Sequence, residues 1–164
     1  MTEAVFSFKP KWANAILYGS KRVELRTTAP KKEISKAWIY ASFPTQMIVG
    51  WFVPGEIHPP MDAEALYAKF GFEAVMGYPC EVQDENGIIE TALGPKKRGE
   101  ISIGQTIGAT KRYRAIEIIS ATPLKYGISP PMGSRNYGHP HYWRPPPSWR
   151  YLSEEDAAIT RRAE

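Results

Sequence analysis

The sequence predicts a small α+β protein: a curved mixed sheet or barrel carrying a few short helices. Three observations point there. The apolar fraction of 43% over 164 residues is enough for one hydrophobic core. Five or six short apolar or alternating runs read as strands, but helical patterns do not alternate with them as a doubly wound sheet requires. Gly50 interrupts the most apolar of these runs, where a bulge or a tight bend of a curled sheet is expected.

The elements follow in chain order. Val5-Phe6-Ser7-Phe8 reads as a strand stopped by Pro10. Pro10 opens a helix in which Trp12, Ala13, Ile16 and Leu17 form one apolar stripe, and Gly19 closes it. Lys21 to Arg26 then reads as a strand. On a regular strand Lys21, Val23 and Leu25 share one face, and Arg22, Glu24 and Arg26 share the other. Thr27 to Lys32 is a polar loop. Lys36 to Ser42 is a further strand, and Met47 to Val53 one that is apolar on both faces and therefore central, continuing past Pro54 to Ile57. Asp62 caps a helix over Ala63–Phe70 that ends at Gly71.

Residues 72–110 carry many glycines and the turn signal Asn86-Gly87, where a hairpin is expected. Arg112 to Ile119 alternates and reads as a strand; Pro123, Pro130 and Pro131 then mark a loop. Residues 126–150 hold too much Gly and Pro for regular structure over most of their length, and Ser153 to Asp156 cap a short last helix. No repeat and no linker divides the chain, so one domain over residues 1–164 is expected.

Composition excludes several function classes. The single cysteine, Cys80, rules out an internal disulfide framework and a Cys-rich zinc site, and without a histidine partner it reads as an inert thiol. No apolar run approaches the ~20 residues of a membrane span. No basic segment precedes a long apolar stretch near Met1, so a soluble protein of the reducing cytoplasm is expected. The net charge of +4 is mild but segregated. Residues 1–36 hold eight Lys/Arg against three acids, residues 37–95 one against eight, and residues 96–125 seven against two. Two basic blocks thus flank an acidic middle. Both blocks can be solvated surface, or they can build one basic face for an anion such as nucleic acid.

The residues from Ala15 to Arg26, with Phe6-Ser7-Phe8-Lys9-Pro10 before them, resemble the ASCH domain of the PUA-like superfamily of RNA-associated β-barrels. The signature Gly-x-Lys-x-x-Glu-x-Arg stands here as Gly19, Lys21, Glu24 and Arg26. The resemblance extends to Trp38–Ser42, Ile48–Phe52, Arg114–Ile118 and Arg144–Leu152, so about residues 4–57 and 112–152. Residues 72–110 match nothing in it and are expected to be a divergent insertion or a divergent helical excursion, and residues 126–152 a proline- and aromatic-rich clasp.

The resemblance implies a PUA-like barrel with a cleft near the helix–strand junction for RNA or a nucleobase. Some similar enzymes hydrolyse the amide of N4-acetylcytidine, and another is a ribonuclease. The amidohydrolases use a lysine at the place of Lys21 and a threonine where this chain has Glu24. The expected catalytic residues are Lys21 and Glu24, with Lys21 as base or nucleophile if burial lowers its pKa. A pair between them needs an irregular strand start, and otherwise Arg22, Glu24 and Arg26 are same-face ion pairs of little worth.

Nucleic-acid contacts are expected from Lys21, Arg26, Tyr40, Ser42, Lys96, Lys97, Arg98, Arg112 and Trp143, by phosphate pairing, stacking and base-edge hydrogen bonds. Tyr40 also reads as a core residue, and Lys96-Lys97-Arg98 as a solvated loop. No cofactor is expected. No metal ligand is assigned either, since His139-Pro140-His141 lacks a third donor. The partner is RNA or a nucleoside or nucleotide, with no membrane. An adaptor role through residues 144–151 is a further reading, decided by whether that segment is packed down.

Overall fold

In the computed structural model, residues 2–77, 88–91, 94–97, 111–128 and 145–161 are described. Their strands are β1 (Glu3–Phe8), β2 (Val23–Arg26), β3 (Lys36–Ala41), β4 (Met47–Ile57), β5 (Ile88–Thr91), β6 (Gly94–Lys97), β7 (Arg114–Ile128) and β8 (Trp149–Tyr151). The helices are α1 (Pro10–Leu17), α2 (Ala63–Phe70), α3 (Phe72–Met76) and α4 (Glu154–Arg161). Six strands form one mixed sheet in the order β2-β7-β4-β3-β1-β8, curled into a half-barrel. Only β1 and β3 pair in parallel within it, because α1 and β2 provide the crossover between them.

Side-chain alternation divides the core in two across this sheet. On the inner face Phe6, Phe8, Ile39, Phe52 and Ile116 pack with Ala13 and Ile16 of α1. On the outer face Val5, Trp38, Tyr40 and Ile48 pack together. A third cluster joins Val23 and Ala115, from the outward face of β2 and β7, to Leu66, Tyr67, Val75 and Met76 of α2 and α3.

The helix boundaries follow from local chemistry. Pro10 supplies the fixed φ of a first helical residue, and Gly19 leaves the helix at φ +81°. The Asp62 carboxylate accepts from the Ala65 N–H at 2.9 Å, satisfying one free donor of α2. Gly77 ends α3 at φ +75° against α1 and the Lys21 segment; a Cβ there would lie 2.8 Å from Ala15 Cβ and 2.9 Å from Lys21 Cβ.

One expectation needs correction. The strand expected over Arg112–Ile119 runs on to Ile128, through Pro123. Pro123 faces Gly50 at a register shift, where the ladder does not need its missing N–H. β5 and β6 pair antiparallel with Thr91 opposite Gly94, and the hairpin expected at Asn86-Gly87 lies outside the described residues. The segment 72–76 is a helix whose Ala74 carbonyl accepts from the Arg22 N–H at 2.8 Å. The segment 146–151 is packed down: Ser7 donates from its N–H to Ser148 O at 2.8 Å and from its Oγ to Pro146 O at 2.6 Å, and β8 pairs with β1.

Gly50 marks the tightest approach. A Cβ there would lie 2.5 Å from Leu17 Cδ2 and 2.5 Å from the Thr122 carbonyl oxygen. The leucine can turn, but the carbonyl belongs to the paired strand. Gly50→Ala is therefore expected to destabilise the protein by about 2 kcal/mol or more, in the range of overpacking. Urea unfolding measures this; a loss under about 0.5 kcal/mol would show that the approach is relaxed without cost.

Candidate functional site

Lys21 lies between α1 and β2, before the strand begins, so strand parity does not apply to it. Gly19 turns the chain out of α1, and the Lys21 N–H then bonds back to Ala15 O at 2.9 Å. The side chain is buried, with 5% of its surface exposed. Its ammonium donates to Val23 O at 2.7 Å and to Val75 O, and lies 3.6 Å from Glu24 Oε2. It also sits 5.4 Å from the centre of the Trp12 ring. Burial lowers the Lys21 pKa from its ordinary value; the adjacent Glu24 opposes that shift and Arg26 adds to it.

Glu24 points to the inner face, opposite Ile116 on β7. Its second oxygen lies 2.7 Å from Arg26 Nε. That N–H is not directed at the oxygen, so the contact is an ion pair and the buried Nε–H lacks a hydrogen-bond acceptor. The guanidinium lies 4.9 Å from the centre of the Phe8 ring and 5.6 Å from that of Phe6. It donates to Ser7 O at 2.8 Å and to Ser148 Oγ at 3.2 Å. The three side chains make a +, −, + series. Arg114 stands directly opposite Arg26 across the β2–β7 ladder, so the first and second basic blocks are neighbours at this rung.

The other predicted site residues are placed differently. Tyr40 is buried on the outer face beside Val5, Trp38 and Ile48, with the sheet between it and Arg26; burial raises its phenol pKa. Ser42 lies in the turn after β3, its N–H bonded to Phe8 O at 2.8 Å. Arg112 is exposed and donates to Pro60 O at 2.8 Å. Lys96 and Lys97 belong to β6. Arg98 and Trp143 lie outside the described residues, as do Cys80, His139 and His141.

Sequence reading missed Trp12, Ser7, Ser148 and the Val75 carbonyl as partners of this network. Trp12 was legible as a neighbour of Lys21 through the helix end, but a backbone carbonyl 54 residues away leaves no mark in side-chain identity. It also missed Glu56, His58 and Glu117, whose ligating atoms all lie within 4.8 Å of one another. Among the described residues they are the group of three able to hold a metal ion. No helix among those residues is long and apolar enough to cross a membrane.

Comparison with known proteins places the sequence and the fold in one family. Residues 6–117 match the ASCH domain. An ASCH domain-containing ribonuclease of Zymomonas mobilis is 37% identical over 75 residues, a stretch covering 45% of this chain and 50% of that protein. The chain thus aligns with about half the length of that curated relative. Crystal structures of an ASCH protein from Zymomonas mobilis share the fold. The unsubstituted protein superposes with a TM-score of 0.65 at 23% identity, covering 98% of this chain and 94% of that one. A single-residue variant superposes with a TM-score of 0.66 at 22% identity, covering 99% and 98%. With that model matching residues 6–117, more than half of the chain, the chain belongs to the ASCH domain family.

Proposed function

We propose that the protein binds RNA, taking a phosphate at the cation-rich network of Lys21, Glu24 and Arg26. The observation that carries this reading is the imbalance of that network: the buried Lys21 and the partly buried Arg26 share one carboxylate. A buried positive excess favours an anion, because low local dielectric strengthens the attraction. Arg114 across the ladder adds a further cation, and the ASCH family with its ribonuclease-named relative supports RNA among the possible anions.

The name of that relative favours a second reading, cleavage of the bound RNA. Here Lys21 acts as an ammonium. Its donors already face Val23 O, Val75 O and Glu24, which supports electrostatic stabilisation of a charged transition state and weighs against a lysine nucleophile. Glu24 is the proton acceptor or donor in this reading.

Binding of a labelled single-stranded RNA should weaken about 20-fold between 50 and 200 mM salt if three phosphates are neutralised. Arg26→Gln and Arg114→Gln should each weaken it several-fold, while Glu24→Gln, which removes the carboxylate charge, should retain it. Fluorescence anisotropy reads all of these, with circular dichroism confirming the fold. Absence of binding at 50 mM salt overturns the proposal. Cleavage lost in Glu24→Gln with binding retained is the signature of the second reading.

The lowered Lys21 pKa also has a stability consequence. Between the folded value and the ordinary lysine value the unfolded chain binds more protons than the folded one, so stability rises with pH across that window. The wild type is expected to gain stability relative to Lys21→Met as the pH is raised from neutral toward 10. Urea midpoints measured in parallel test this, and a pH-independent difference refutes it.

A further inference from the structure

A second polar cluster lies on the outward face of β7. Glu117 stands opposite Val23 on the ladder, and Val23 packs against α2 and α3. His58 follows the last residue of β4, and its backbone N–H donates to Ala115 O at 2.9 Å. Its ring is buried, 5% exposed, edge-on to Phe70 at 5.1 Å. Both ring nitrogens face a carboxylate. Nε2 lies 2.7 Å from Glu117 Oε1, and Nδ1 lies 3.3 Å from Glu56 Oε1. Glu56 and His58 are two residues apart on an extended segment and so share a face.

We propose that His58 and Glu117 bind a divalent transition-metal ion of the zinc type, with Glu56 as the carboxylate that orients the imidazole. The ion bonds to Nε2 and displaces its proton, and the remaining ring N–H donates to Glu56. This is the carboxylate–histidine–metal arrangement in which a second carboxylate fixes the tautomer and raises ligand basicity. Water completes the coordination.

The separation is close to what an ion needs. Two zinc ligands on tetrahedral positions stand roughly 3.3 Å apart, so the Glu117 oxygen must withdraw by about half an ångström from its present position. Its side chain is 42% exposed and free to do so, while the histidine is held in place by Phe70 and the Ala115 carbonyl. The exposed side of both glutamates gives the ion its entry path. Imidazole nitrogen selects a borderline ion over magnesium, which prefers an all-oxygen octahedron.

Calorimetric titration with Zn2+, and the visible absorption of Co2+, test the site. The background is His139→Ala/His141→Ala, which removes the other two histidines of the chain. One ion per chain is expected. His58→Gln should abolish binding, and Glu117→Gln should weaken it at least tenfold. Glu56→Gln should weaken it about tenfold, as loss of an orienting carboxylate does. The two glutamate variants are at exposed positions and keep the test interpretable if His58→Gln unfolds. Equal concentrations of Mg2+ should leave the Zn2+ isotherm unchanged. Failure of millimolar Zn2+ to bind overturns the proposal, as does binding that neither Glu117→Gln nor Glu56→Gln alters, or full competition by Mg2+.

Discussion

One guanidinium ties the two edges of the curled sheet together. In the order β2-β7-β4-β3-β1-β8 the strands β2 and β8 are the two edges, and an open edge exposes unpaired backbone groups. Arg26 ends β2, and its fork reaches Ser7 O on β1 and Ser148 Oγ just before β8. It thus spans the seam of the curled sheet. Arginine suits this role better than lysine, because its planar fork serves several acceptors at once while its face lies on Phe6 and Phe8. The loop after β2 repeats the closure further along. Trp149 Nε1 donates to Thr28 O at 3.0 Å, and the N–H groups of Lys31 and Lys32 both donate to the Tyr151 hydroxyl at 2.9 Å.

The seam constrains everything upstream. Arg26 is 13% exposed at its side chain and needs a nearby anion; Glu24, on the same face of a regular strand, provides it. Glu24 in turn lies against Lys21, which has left the strand and can therefore turn toward it. The Lys21 ammonium then requires further acceptors, and α3 brings the Val75 carbonyl. The close packing of Gly77 against Ala15 and Lys21 is what allows α3 to come near enough. The stretch of chain that matched no pattern in the sequence supplies an acceptor that the signature lysine depends on.

Local chemistry was legible in the sequence, and long-range closure was not. Pro10 and Gly19 delimit α1, Asp62 caps α2, and alternation places Glu24 and Arg26 on one face, because each depends on neighbours within a few residues. The signature Gly19, Lys21, Glu24 and Arg26 marks the network, and the irregular start that its Lys–Glu pair requires is present. Tyr40 shows the limit. Its parity on β3 was readable, but which face of β3 meets Arg26 depends on how the sheet curls, and it curls with Tyr40 outward. Pro123 shows another: a proline ends a strand unless the partner is shifted there, and Gly50 on β4 provides the shift.

The mild net charge conceals this arrangement because its parts are averaged over the chain. At the Arg26–Arg114 rung two like charges face each other, which destabilises a ladder unless a counter-charge is near. Glu24 supplies one negative charge for Lys21 and Arg26, and the remaining positive charge is retained in a partly buried place. A protein optimised for stability alone would neutralise it or replace it with packed apolar side chains, often at no loss. On the proposed reading an RNA phosphate supplies the missing charge, so binding stabilises the same closure that Arg26 makes. Ligand affinity and seam stability are then linked by mass action through one side chain.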